Sequence, residues 1–166
     1  MRFTGAEPVF LIMIYTGFRI SQYYKKRCTL LEYTLMLLKR LEIDFRYSSS
    51  NVYDAFNKYS EELGNGNISY LKKCLGYIDS GYDFPVAFSK SVEEERLFTD
   101  DEKSKLILFG NSLGTSSVDT QLSLIGYYTE LFEKLYDDSR SKSDKNSKTA
   151  FLICVFIGFG FYIISI

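Results

Sequence analysis

Two runs of carboxylates, Glu93-Glu94-Glu95 and Asp100-Asp101-Glu102, are the residues best suited by type to move a proton. Carboxylates divide into acid and base only where their environments push their pKa values apart. Adjacent acids flanking a helix junction ordinarily face water instead. The chain has no histidine, which removes the commonest general base and metal ligand. Cys28, Cys74 and Cys154 are scattered, with neither the ligand spacing of a zinc site nor a disulfide framework. The stretch Gly110-Asn-Ser-Leu-Gly114-Thr-Ser-Ser has glycines and hydroxyls but lacks the spacing and the lysine of a phosphate-binding loop. A helix-terminating turn accounts for it. No catalytic, cofactor-binding or metal-binding residue is expected, and the chain is not expected to be an enzyme. The acids keep one functional reading, the steering of a basic surface on a cytoplasmic partner. Helix capping and solubility are the simpler account of them.

The ends of the chain say more. An apolar stretch runs from Val9 to Ile20, and residues 150–166 form a second one without a charge. A helix over the latter would cover roughly 25 Å, slightly short of a hydrocarbon core of about 30 Å, and Lys148 can snorkel to absorb the difference. In the first stretch Pro8 suits an initial helical turn, and Arg19 interrupts the apolar run one turn before the aromatic pair Tyr23 and Tyr24. The basic residues Arg19, Lys25, Lys26 and Arg27 follow the first stretch, and Arg140, Lys142, Lys145 and Lys148 precede the second. By the positive-inside rule both termini would face outward and the middle of the chain would lie in the cytoplasm. The expected organisation is an N-terminal membrane anchor over 1–24, a cytoplasmic helical bundle over 25–148 and a C-terminal transmembrane helix over 149–166. Ala150, Cys154 and Gly158 recur at helical spacing and would permit close packing against Thr16 and Gly17. With a net charge of −1 there is no electrostatic case for nucleic acid.

The middle reads as helix throughout. Leu31, Leu35, Leu38, Leu41 and Phe45 recur at helical spacing, and the run Ser48 to Ser50 ends that helix. Ser50 or Asn51 can cap a second helix to about Leu63, and Gly64 to Asn67 form a turn. A third helix over about Ile68 to Ser80 stops at Gly81, and Asp83 with Pro85 opens a fourth. Thr99 and Glu102 have the spacing of a capping box at the start of a fifth. A sixth, from about Ser117, carries Val118, Leu122, Ile125, Thr129, Phe132 and Tyr136 as a packing seam and continues through the polar segment 139–147 towards the C-terminal span. The fold class is all-α: an antiparallel bundle of about six helices, flanked by N- and C-terminal transmembrane helices.

The stretch Leu41-Glu-Ile-Asp-Phe-Arg-Tyr47 followed by Val52-Tyr-Asp-Ala-Phe56 resembles the stage III sporulation protein AB family at its first helix–helix junction. Leu113-Gly-Thr-Ser-Ser-Val-Asp-Thr-Gln121-Leu122 is similar to a second signature of that family, a Leu-Gly turn followed by a Gln-Leu pair. The resemblance implies a cytoplasmic fold like that of the inner-membrane platform proteins of type II secretion. It also implies a place in a sporulation channel assembled at the mother-cell membrane, with other channel proteins and a cytoplasmic secretion-type ATPase as partners. Leu113, Gly114, Asp119 and Gln121 would shape the turn between the last two helices and are the candidate interaction residues. A membrane-bound sensor or regulator is the alternative function.

Overall fold

The computed structural model describes residues 6–47, 52–62, 68–113 and 117–164. They form six α-helices and, among the described residues, no strand: α1 (Ala6–Tyr47), α2 (Val52–Glu62), α3 (Ser69–Asp79), α4 (Phe84–Glu93), α5 (Asp100–Ser112) and α6 (Val118–Ile164). The all-α fold is as the periodicity predicts. The serine run with Asn51, and the Gly64 to Asn67 turn, lie outside the described residues. The expected flanking transmembrane helices are not supported: among the described residues no helix is long and apolar enough to cross a membrane. Arg19 divides the apolar stretch of α1, and Lys148 bounds that of α6.

The chain separates into two compact units, Thr29–Tyr136 and the pair of segments Met1–Cys28 and Asp137–Ile166. Both α1 and α6 are continuous across those boundaries, including the polar segment 139–147.

In the larger unit the leucines of α1 point inward as their spacing requires. Leu30, Leu31, Leu35, Leu37, Leu38 and Leu41 are buried, and Phe45 is half-buried against the same core. Each such side chain contributes about 1.5–3 kcal/mol by leaving water. Along the chain α2 packs on α3, α3 on α4, and α4 on α5. An aromatic knot ties these short helices together. Phe56 of α2 meets Phe84 and Phe88 of α4 edge-on, with centroids 5.2 and 5.9 Å away, and Tyr70 of α3 meets Phe98 at 5.5 Å. Edge-to-face contacts of this kind add to the area term.

From α6, Ile125, Tyr128 and Phe132 close the core, with Tyr128 tilted against Phe109 of α5 at 5.1 Å. Val118, the first residue of the expected seam, is exposed, and Gln121 takes the inward position instead. Of the expected seam, Ile125, Thr129 and Phe132 are buried.

The end of α3 shows how locally the corners are built. The Gly81 amide donates to Ile78 O at 2.8 Å and the Tyr82 amide to Tyr77 O at 3.1 Å. These are the paired bonds of a Schellman cap, with Gly81 at φ +92° in the left-handed position such caps require. The side-chain contact that accompanies such caps is present too: the rings of Tyr77 and Tyr82 meet edge-on at 5.8 Å. At the start of α5, the Glu102 amide donates to Thr99 Oγ1 (3.3 Å) and the Thr99 amide to Glu102 Oε2 (2.7 Å), completing the capping box.

As expected, α5 ends within the stretch that begins at Gly110, its last residue being Ser112, and Gly110 itself lies inside the helix. A Cβ at this position would stand 2.3 Å from Cδ1 of Phe88, so the missing side chain lets α5 approach α4.

Candidate interaction surfaces

The acidic residues are largely engaged by the fold itself. Glu102 is buried in the capping box, and Asp100 and Asp101 occupy the first turn of α5, where the helix dipole favours them. Asp101 pairs with Lys105 one turn on. Glu95 Oε1 accepts the Leu97 amide at 3.2 Å. Glu94 reaches the other way, accepting from Lys73 Nζ at 2.7 Å and from the Tyr77 hydroxyl. The Lys73 bond, followed by that of Tyr77, holds its carboxyl below the ordinary range, and the same bond to Glu94 pushes the Tyr77 phenol up. Among the described residues no group of Cys, Asp and Glu converges in a way that could hold a metal ion.

That contact belongs to a cluster that sequence patterning did not single out. Lys90 Nζ lies 4.4 Å from the centroid of Tyr82 and 5.0 Å from that of Tyr77, a cation held against two aromatic faces. With Lys73 and Glu94 it braces the α3–α4 corner. Lys73 and Tyr77 share α3, while their partners Glu94, Lys90 and Tyr82 come from the end of α4, from α4 and from the corner, which no sequence spacing joins.

The residues of the Leu-Gly turn divide. Leu113 is buried and its amide donates to Phe109 O at 3.1 Å. Gly114 lies outside the described residues. Asp119 is exposed in the first turn of α6, and Gln121 is buried, its amide donating to Ser117 O at 3.0 Å. Leu113 and Gln121 thus serve the interior, leaving Asp119 as the outward member.

In the smaller unit, Arg19, Lys25 and Lys26 of α1 are exposed and Arg27 is half-buried; Lys142, Lys145 and Lys148 of α6 are exposed. Lys142 pairs with Asp138 at 2.7 Å. The apolar side chains here also face outward: Leu11, Ile12, Tyr15, Phe18, Ile20 and Tyr23 on α1, and Leu152, Ile153, Phe156, Ile157 and Phe159 on α6. Phe156 is 71% exposed, against 0% for Phe132 on the same helix within the larger unit. Gly17 is buried and Cys154 half-buried, whereas the side-chain surroundings at Ala150 and Gly158 lie outside the description.

Exposed apolar side chains gathered in this way, with basic residues beside them, mark a contact surface. Neither a curated protein nor a solved structure matches the chain. The family model for stage III sporulation protein AB matches residues 2–166. With that match over almost its whole length, the chain belongs to the stage III sporulation protein AB family, a family of sporulation proteins.

Proposed function

We propose that the protein is a non-enzymatic, membrane-anchored platform in a sporulation channel, holding its helical domain in the cytoplasm to recruit machinery such as a secretion-type ATPase. The observation that carries this reading is the contrast between the two units. The larger one buries its leucines and aromatics, while the smaller one turns outward the apolar side chains named above, beside lysines and arginines. In water that arrangement is unfavourable by roughly 25 cal/mol for every Å² of apolar surface left exposed. A bilayer removes the cost. The reading places the anchors in residues 1–24 and 149–166, with both termini outward.

Function on this reading is positional. Both α1 and α6 contribute residues to each unit, so on this reading the anchor and the recruiting domain share two helices. The domain's exposed residues, among them Asp119 of the Leu-Gly turn, are then available to other channel proteins.

Two measurements test the proposal. Reporter fusions at each terminus of the intact protein should read as external, and a cytoplasmic signal at either end removes the hairpin topology. Affinity purification from sporulating cells should recover an ATPase together with membrane channel proteins. Normal sporulation in a deletion strain, with no such partners recovered, removes the platform role.

A further inference from the structure

The exposed stripes of the two anchoring segments share one pattern. On α1 the exposed residues Ile12, Tyr15, Arg19, Tyr23 and Lys26 follow the spacing i, i+3, i+7, i+11, i+14, which keeps them on one helix face, turned away from the buried Gly17. On α6 the exposed residues Lys145, Lys148, Leu152, Phe156 and Phe159 follow the same spacing, away from the buried Ser139 and Ser143. Each stripe grades along its axis from apolar to basic. The two grades run in opposite chain directions, and in both the basic end is the one nearer the larger unit in sequence. Lys25, Lys26, Lys145 and Lys148 form no ion pair with any Asp or Glu among the described residues, unlike Lys142 with Asp138 or Lys39 with Glu133.

We infer that this unit binds anionic phospholipid headgroups through Lys25 and Lys26 of α1 and Lys145 and Lys148 of α6. The inference rests on the anchoring role proposed above and adds the lipid class. Charge complementarity and position argue for it together. At 1.5 Å per residue, Lys26 lies about 10 Å along the axis from Arg19, and Lys148 lies one turn from Leu152, so the free ammonium groups fall where an apolar surface gives way to a polar one. In a bilayer that boundary is the phosphate layer. Clusters of lysine and arginine beside an apolar segment are drawn to anionic lipid there, and the attraction fades within a Debye length of about 8 Å at physiological salt. Tyr23, between Arg19 and Lys26, offers the apolar ring and polar tip suited to the same depth. An acidic protein partner would need the lysines but would leave the adjoining apolar stripe unexplained.

The test uses the full chain purified in detergent, with lipid retention read by native mass spectrometry while phosphatidylglycerol or phosphatidylcholine is titrated in. Flotation with phosphatidylcholine vesicles serves as a parallel measurement. Phosphatidylglycerol should be retained at least about tenfold more strongly than phosphatidylcholine, as expected for several headgroup-facing lysines. That preference should collapse in about 0.5 M salt, where screening is short-ranged. It should also be lost in Lys25→Gln/Lys26→Gln/Lys145→Gln/Lys148→Gln at unchanged helicity. The pair variant Lys145→Gln/Lys148→Gln, at two exposed sites, should lose part of it and covers the case in which the fourfold variant misfolds. Equal retention of the two lipids, or an unchanged preference in the variants, overturns the inference while flotation keeps the anchoring reading. Failure to float with any vesicle overturns both.

Discussion

The hydroxyl of Tyr70 lies 3.2 Å from Oγ1 of Thr34, and both side chains are fully buried. Thr34 gives its only hydroxyl proton to Leu30 O at 2.8 Å, so Tyr70 is the donor across the gap between α3 and α1. Burial pushes the Tyr70 phenol up, which keeps that proton in place at any working pH.

The two ends of this bond should fail unequally. In Tyr70→Phe the donor goes, but Thr34 still bonds to Leu30, and the loss should be about 0.5–1.5 kcal/mol. In Thr34→Val the tyrosine hydroxyl stays buried with its acceptor removed, and about 1–3 kcal/mol is expected. Urea denaturation of both variants measures the difference, and an equal or reversed order would show that the hydroxyl has another acceptor.

Gly110→Ala should destabilise despite the better helix propensity of alanine. The propensity gain is at most about 1 kcal/mol. Against it stands a methyl group placed 2.3 Å from Phe88, whose ring is held by Phe56, Phe84 and Tyr70. Overpacking of that kind costs about 1–3 kcal/mol. In a double-mutant cycle, Phe88→Leu should recover part of the loss, because the smaller side chain can give way. Additive effects would show that the ring already moves aside.

The Lys73–Glu94–Tyr77 contact makes stability depend on pH in a stated direction. The carboxyl of Glu94 is held below its ordinary 4.5 when folded, first by Lys73 and then by Tyr77. A depressed folded value means the contribution is fully present above the unfolded value and is lost as pH falls through the folded one. The thermal midpoint should therefore fall more steeply under acid in the wild type than in Glu94→Gln. Parallel acid limbs in the two proteins would remove Glu94 from the acid transition.

Cys74 should resist modification in the native state. It is completely buried, and burial pushes its thiol up to about 12, so almost no thiolate exists near neutrality. In a variant with Cys28→Ser and Cys154→Ser, maleimide labelling should be negligible until denaturant unfolds the larger unit. The labelling rate then reports its opening. Rapid labelling without denaturant would show that α3 and α4 separate readily.

The legible parts of this fold are those whose partners are near in sequence. Thr99 and Glu102 announce their capping box because both residues sit within one turn, and Gly81 announces the end of α3 because only local backbone geometry is at stake. The leucines of α1 were equally clear, since a helical repeat needs no knowledge of what it packs against. Gly110 was not. Its purpose depends on Phe88 in a different helix, and a glycine followed by Asn111 and Ser112 reads only as part of a helix-terminating stretch until that ring is placed. Lys90 failed for the same reason, sitting on two tyrosines that no spacing rule connects to it. Of the Leu-Gly turn, the sequence marked the right neighbourhood but not the division of labour, in which Leu113 and Gln121 turn inward and Asp119 outward. The two end segments were legible as apolar stretches with basic flanks; that their stripes share one spacing becomes visible only once exposure is known.

The corner at Gly81 carries a consequence of handedness. Its φ of +92° is strained for any L-residue, and nothing stands within 4 Å of where a Cβ would project. A mirror-image residue does not meet that strain. D-alanine introduced there by peptide ligation adopts this φ readily and narrows the freedom of the unfolded chain, so it should stabilise the corner where L-alanine weakens it. The bend between α3 and α4 is thus a place where the protein's own chirality, rather than its packing, sets the limit on what can replace glycine.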